Sequence, residues 1–586
     1  MPAVKQFYCV SKNKELNEYF VYLSANLKNM RKIILLLCCF CSIALMAQPK
    51  YEIRAVWLTT LGGMDWPSKK ANSNAGRLAQ QRELCNLLDQ LKSANINTVL
   101  FQTRLRGDVV YPSQFEPFAE SLTGFTGRDP GYDPLAFAIS ECHKRGIELH
   151  AWFVTIPIGN ERQVKLHGKQ SVVRKHSKIC EQFKGSWYLN PGNPATADYL
   201  SQLVREVVSK YDVDGVHFDY IRYPEHGKNF PDKASYRKYG KGLSLEAWRR
   251  NNITAIVRRL YTDVKQLKPW VKVSSSPIGK YNDIPRYGSR GWNAYAEVYQ
   301  DAQRWMKEGI HDALFPMMYF QGNNFYPFAL DWKENSNGRW IVPGLGVYFL
   351  DPSEQDWKLD EVVRQVYFTR QIGVAGQGYF RNRFLLKNTK GLLDELQEKF
   401  YVYPALIPPM KWMDSIPPAQ PATVNASVVE GQVALKWAAS TDNHSYPVYY
   451  RVYASNHYPV DTENIRCLIA DHLSETSYTF QPAFPWKQKV YYAVTAVDRF
   501  GNESRPAFVN GPKDEAFPVL LQKSEILQME RLSGSEVYIL TDATGREVFR
   551  SSQLTASDLE KIPAGLYILK LKKEDGRLVN KGVMVR

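Results

Sequence analysis

The stretch Tyr211–Pro224, "YDVDGVHFDYIRYP", governs how the rest of the chain is read. Its apolar residues alternate as in a buried β-strand, which puts His217 and Asp219, two positions apart, on one face. Such a strand either satisfies its histidine and carboxylate in a polar core or delivers them to a reaction.

Outward from this stretch, strand-like and helix-like segments alternate from about residue 52. Candidate strands begin at Arg54 ("RAVWLTT"), Asn97 ("NTVLFQTR"), Glu148 ("ELHAWFV"), Val213 ("VDGVHFDY"), Lys272 ("KVSSSPIG"), Asp312 ("DALFPMMY"), Ile341 ("IVPGLGVY") and Gly373 ("GVAGQGYF"). Amphipathic segments such as "YLSQLVREVVSKY" lie between them, with apolar residues recurring at three and four. Eight such repeats predict a (β/α)8 TIM barrel over residues 50–402. A doubly wound sheet is the competing fold, but no glycine-rich phosphate loop follows the first strand.

Beyond the barrel the texture changes. Residues 403–417 are proline-rich and read as a linker or domain edge. Short alternating strands over 418–512, with Trp437 as a core residue, resemble a fibronectin type III β-sandwich. Residues 516–586, with "VYILTDATGREVF" and "IPAGLYILKL", read as a small C-terminal β-domain and resemble the sorting domain of the type IX secretion system of Bacteroidetes.

At the other end, Arg31 and Lys32 precede "IILLLCCFCSIALMA", an apolar run too short for a comfortable membrane span and ending in small residues. This is the pattern of a signal peptide cleaved near Ala47, with residues 1–29 as an upstream extension, and it predicts an exported protein: periplasmic, on the cell surface or secreted. Removing residues 1–47 takes away six Lys or Arg and two Glu, so the formal charge falls from +16 to +12. That charge suits association with an anionic envelope surface or a plain solvated face. No dense basic run or recognition motif points to nucleic acid, and the four remaining cysteines are too scattered for a zinc knuckle or a disulfide framework.

In a barrel of this kind the active site is built at the C-terminal ends of the strands. On that basis Asp219 and His217 from strand four, His150 and Trp152 from strand three, Gln102 and Arg104 from strand two, Arg54 from strand one, Tyr319 after strand six and Gln377 from strand eight are expected to converge on one cavity. Carboxylates, aromatic faces and hydrogen-bonding side chains are what a sugar-processing site needs, because glycosidic cleavage passes through an oxocarbenium-like state. Asp219 could instead anchor Arg222 or Arg54, and His217 could be a hydrogen-bonded wall residue. His150, His217 and Asp219 could hold a metal, but no close ligand pair on a helix supports one, so neither metal nor cofactor is expected.

The segments "EIRAVWLTT", "HAWFV", "WYLNPGNPATADYL", "YDVDGVHFDYIRYP", "WRRNNITAIVRRLY", "KPWVKVSSSPIG" and "FPMMYF" resemble, in order and spacing, the bacterial glycosyl-hydrolase-like family 10. The resemblance implies a glycoside hydrolase barrel acting on a cell-envelope, peptidoglycan-type glycan or another polysaccharide. It carries Asp219 and His217 over directly. "DGVHFDYI" also looks like the fourth-strand signature of family 18 chitinases, but His217 stands at the middle aspartate and Ile221 at the acid glutamate. A proton donor must then come from elsewhere, and Glu225 and Asp351 are the available carboxylates. With no obvious second carboxylate, a catalytically inactive glycan-binding barrel is the alternative. Oligomeric state is left open.

Overall fold

The computed structural model describes residues 48–429, 432–481, 490–509, 535–542, 546–551, 561–563, 565–573 and 578–585. Residues 1–47, expected as an upstream extension and signal peptide, lie outside them.

Eight parallel strands form the centre of the chain: Ile53–Leu58, Thr98–Arg104, Glu148–Val154, Gly215–Asp219, Lys272–Ser275, Ala313–Leu314, a seventh in two pieces, and Gly376–Tyr379. The seventh is split at Val342-Pro343, because proline offers no backbone N–H to a ladder. Its first piece, Trp340–Ile341, pairs with strand six, and its second, Gly344–Leu345, pairs with strand eight. Strand eight pairs in turn with strand one, Ile53 opposite Gly376. The sheet thus starts and ends in strand seven, a curled, TIM-barrel-like arrangement. Helices Asn74–Ser93, Pro134–His143, Ala195–Lys210, Leu245–Leu267 and Leu359–Gln371 follow individual strands and bury their apolar stripes on the outer face of the sheet.

The period of two sorts the strand residues cleanly. Ile53, Ala55, Trp57, Leu100, Trp152, Val154, Phe315 and Val342 share a core inside the barrel, whereas Val56, Leu58, Val99, Phe101, Ala151, Phe153, Val216 and Phe218 pack outward against the helices. Trp57 needs the glycines of strands seven and eight. A Cβ at Gly378 would lie 2.7 Å from its ring, and one at Gly344 3.0 Å.

Residues 403–417, expected as a linker, pack instead against the N-terminal ends of the strands. Arg54 donates to the Tyr403 carbonyl at 2.8 Å, Asn97 to that of Ala405 at 3.0 Å, and Trp412 Nε1 to Asp312 Oδ1 at 2.9 Å. Met410 is fully buried in the interior core together with Phe500. Beyond this floor, a three-stranded and a four-stranded antiparallel sheet share a core that includes Trp437 and Tyr450. Their loops touch the barrel: Trp270 packs on Tyr446 at 4.6 Å, and Arg499 pairs with Asp212 at 3.1 Å. A separate four-stranded antiparallel sheet, Ser535–Asp542, Glu547–Ser551, Gly565–Lys573 and Leu578–Val585, lies at the C-terminal end of the sequence. No helix among the described residues is long and apolar enough to cross a membrane.

Candidate active site

Asp219 is the last residue of strand four and only 5% exposed. Its Oδ1 accepts from the Tyr220 backbone N–H at 2.8 Å and from Ser276 Oγ at 2.9 Å, and its Oδ2 accepts from Trp152 Nε1 at 3.2 Å. These donors and the nearby Arg222 stabilise the anion, yet burial outweighs them and holds the carboxyl above the ordinary aspartate range. Tyr220, immediately after it, sits at φ +51°, a left-handed conformation that costs a residue with a Cβ roughly 1–3 kcal/mol and that clusters at functional sites.

Tyr319 lies close enough for the Asp219 charge to help push its phenol well above the usual range, although burial is the larger cause. Its ring stacks on Phe380 at 5.3 Å and meets Tyr348 edge-on at 5.8 Å, giving the mouth a flat aromatic wall on the side of strands six to eight.

His217 lies one layer below Asp219. Trp57 Nε1 donates to its Nε2 at 3.3 Å, so Nδ1 carries the proton and donates to Ser274 Oγ at 2.9 Å, which in turn donates to the Val216 carbonyl. Burial, with His150 and His311 nearby, drives its pKa well below that of a free imidazole. The ring is therefore a neutral, fixed wall residue.

Several expected mouth residues lie elsewhere. Arg54 and Gln377 have the outward parity of their strands, opposite to Ala55 and Gly378. Arg54 ion-pairs with Glu52 at 2.9 Å and stacks on Tyr401, and Gln377 accepts from Tyr401 and donates to Thr369. His150 faces inward but at the barrel floor, against Glu148 at 3.2 Å, in space that Gly215 leaves for it. Arg104, beyond a register shift in strand two, makes a bidentate ion pair with Glu116 at 2.6 and 2.8 Å. Gln102 reaches the rim, where its side-chain Oε1 accepts from the backbone N–H groups of Thr60 and Leu61.

Of the two candidate acid partners, Asp351 is held by Lys387 at 2.9 Å and by Ser353, which lower its pKa to about 2, so it is poorly suited to donate a proton. Glu225 lies in the loop after strand four with its side chain 54% exposed, 3.1 Å from Arg222. Ser276 and Asp65 were not among the expected residues. Ser276 was legible as the third serine of "SSS", on the same parity as inward-facing Ser274. Asp65, in the loop after strand one, has a fully buried side chain that accepts from the backbone of Thr59 and Arg383, beside Arg381 at 3.4 Å. Among the described residues no group of three or more His, Cys, Asp or Glu is placed to hold a metal ion.

A buried strand-end carboxylate among aromatic faces, on a TIM-barrel-like scaffold, defines a glycoside hydrolase-type or glycan-binding barrel. The chain belongs to the glycosyl hydrolase-like 10 family, whose profile matches residues 52–344. It is 33% identical over 485 residues to glycosyl hydrolase YngK of Bacillus subtilis (strain 168), covering 78% of this chain and 93% of that one. It is also 34% identical over 393 residues to glycosyl hydrolase DigH of Escherichia coli (strain K12), covering 60% and 88%. The glycoside hydrolase domain of PgaB (BpsB) from Bordetella bronchiseptica matches 60% of this chain and 99% of its own, with 16% identity and a TM-score of 0.42, a likeness too loose to bear on function.

Proposed function

We propose that this protein is an exported glycoside hydrolase acting on a cell-envelope, peptidoglycan-type glycan or another polysaccharide, with Asp219 as the catalytic carboxylate. The observation that carries this reading is the environment of Asp219: three hydrogen-bond donors converge on it at a strand end, and the aromatic wall of Tyr319, Tyr348 and Phe380 stands near it. Such a carboxylate suits the work of nucleophile or charge stabiliser for an oxocarbenium-like state, with flat apolar ring faces to receive a pyranose. Glu225 is the acid partner in this scheme, since it follows strand four in the same loop and, like Asp219, lies near enough to Tyr220 for its charge to help raise that phenol.

The pairing of Glu225 with Arg222 and of Asp351 with Lys387 favours a second reading, a glycan-binding barrel without turnover. The two separate in one experiment. Purified wild type and Asp219→Asn are incubated with peptidoglycan strands and a panel of soluble polysaccharides, and reducing ends and binding are measured in parallel. Hydrolysis predicts new reducing ends from wild type alone, with binding nearly equal. Binding by both without product from either favours the second reading.

The same proposal takes residues 1–47 as extension and signal peptide, 418–512 as a fibronectin type III spacer and 516–586 as a sorting signal. Deleting 516–586 should then trap an active barrel in the periplasm, whereas unchanged export would leave that segment an ordinary accessory domain.

A further inference from the structure

Lined by Tyr220, the residue after Asp219, a cavity of about 420 Å³ is built from three loops. Arg106 comes from the loop after strand two. The hairpin Cys180–Phe183 and Ser186–Leu189, with Lys184 in its turn, lies in the long connection after strand three. Tyr220 to Glu225 follow strand four. Three cations, Arg106, Lys184 and Arg222, face one carboxylate, Glu225, and the remaining walls include the rings of Trp187, Tyr188 and Tyr220.

Among the most buried arginines of the barrel, Arg222 differs in the exposure of its carboxylate partner. Arg54, Arg104 and Arg249 are each buried against an equally buried carboxylate at 2.9, 2.6 and 2.7 Å. Arg222 is as buried, with its side chain 3% exposed, but its carboxylate partner is the exposed Glu225, which reaches Nη2. Its Nε is buried and has no hydrogen-bond partner among the described residues. The guanidinium lies 4.6 Å from the Tyr220 ring, with Arg106 5.4 Å from that ring as well, and Arg106 and Lys184 are held by ring contacts alone among the described residues. A buried guanidinium with capacity to spare, backed by two further cations and rimmed by flat rings, suits a ligand with a planar anion on a ring-shaped body.

We infer that this cavity is a subsite for a carboxylate-bearing sugar unit, its ring against the aromatic walls and its carboxylate on Arg222 with Arg106 and Lys184 around it. This deepens the glycan reading of the same mouth and rests on it. A bound carboxylate competes with Glu225 for Arg222, so Glu225 tunes the affinity.

The test titrates the full chain by NMR with two pairs of sugars that differ in charge, N-acetylmuramic acid against N-acetylglucosamine and glucuronic acid against glucose. The first pair reports a carboxylate on an ether substituent, the second one on the ring itself. The acidic member of at least one pair should bind about tenfold more tightly, with the preference shrinking as salt rises. Arg106→Gln and Lys184→Gln, both away from the packed core, should each reduce that preference several-fold without weakening the neutral sugar, and Glu225→Gln should increase it. Equal binding of acidic and neutral members, or a preference that survives both cation variants, would overturn the subsite while leaving the glycan reading intact. Absence of binding by any of the four sugars, together with no binding to the polysaccharide panel, would overturn both.

Discussion

Trp152 Nε1 donates to Asp219 Oδ2 across 3.2 Å, from strand three to strand four. Removing that N–H while keeping an aromatic ring, as in Trp152→Phe, takes a charge-assisted bond from a buried carboxylate. Hydrolysis should fall by roughly ten- to hundredfold, and the acid limb of the pH–rate profile should move upward. Steady-state kinetics across pH on a responsive glycan measures both.

Asp219 also makes stability depend on pH. Its pKa is raised in the folded state, so between the unfolded aspartate value and the folded one the native protein holds the extra proton, and stability declines as pH rises through that interval. Asp219→Asn abolishes this loss. Above the folded-state pKa the variant should therefore melt at a higher temperature than wild type, and it should gain nothing well below the ordinary aspartate value of about 3.9. Scanning calorimetry at several pH values decides this.

His217 has the opposite sign. Its folded pKa lies well below 6.5, so the unfolded chain binds the proton more readily, and stability is lost as pH falls from about 6.5 toward the folded value. Buried His311, lowered to about 4, acts in the same direction. Nitrogen-15 NMR should find His217 as the neutral Nδ1–H tautomer from pH 5 to 8, and His217→Gln should flatten part of the acid side of the stability curve. A resonance titrating near 6.5 would defeat the assignment.

The buried pair Arg104–Glu116 supports the mouth without belonging to it. Glu116→Ala strands a fully buried guanidinium and should cost about 3–5 kcal/mol in denaturant unfolding. Any glycan affinity of the protein that stays folded should change little.

Asp351→Asn should leave turnover within about twofold of wild type, because the carboxylate is committed to Lys387 and Ser353. Its depressed pKa contributes stability that is present above the ordinary aspartate range and lost as pH falls toward about 2. Acid unfolding of the variant should show a smaller dependence on pH in that window.

The alternation of segments was enough to locate the eight strands, since a period of two and amphipathic helices are local patterns. Asp219 was legible for the same reason: it ends a strand whose outward residues, Val216 and Phe218, are apolar. Arg54 and Gln377 were misplaced because position along a strand was read without its parity. Ala55 and Gly378, small residues beside Trp57, mark the inward face and exclude their neighbours from it. His150 was on the correct face at the wrong height, which only the pairing register with Gly215 reveals. The commitments of Arg104 to Glu116 and of Asp351 to Lys387 join residues 12 and 36 positions apart through loop geometry, and no local pattern carries that information.

The packed segment 403–417 bears on how the barrel transmits force. Trp412 and the Tyr403 carbonyl fasten it to the ends of the strands, and Phe500 of the following sheets shares the barrel's interior core. Force applied to those sheets is therefore delivered to the barrel itself, with no slack tether to absorb it. The barrel's opening therefore keeps a set angle to those sheets, and the two turn as one body.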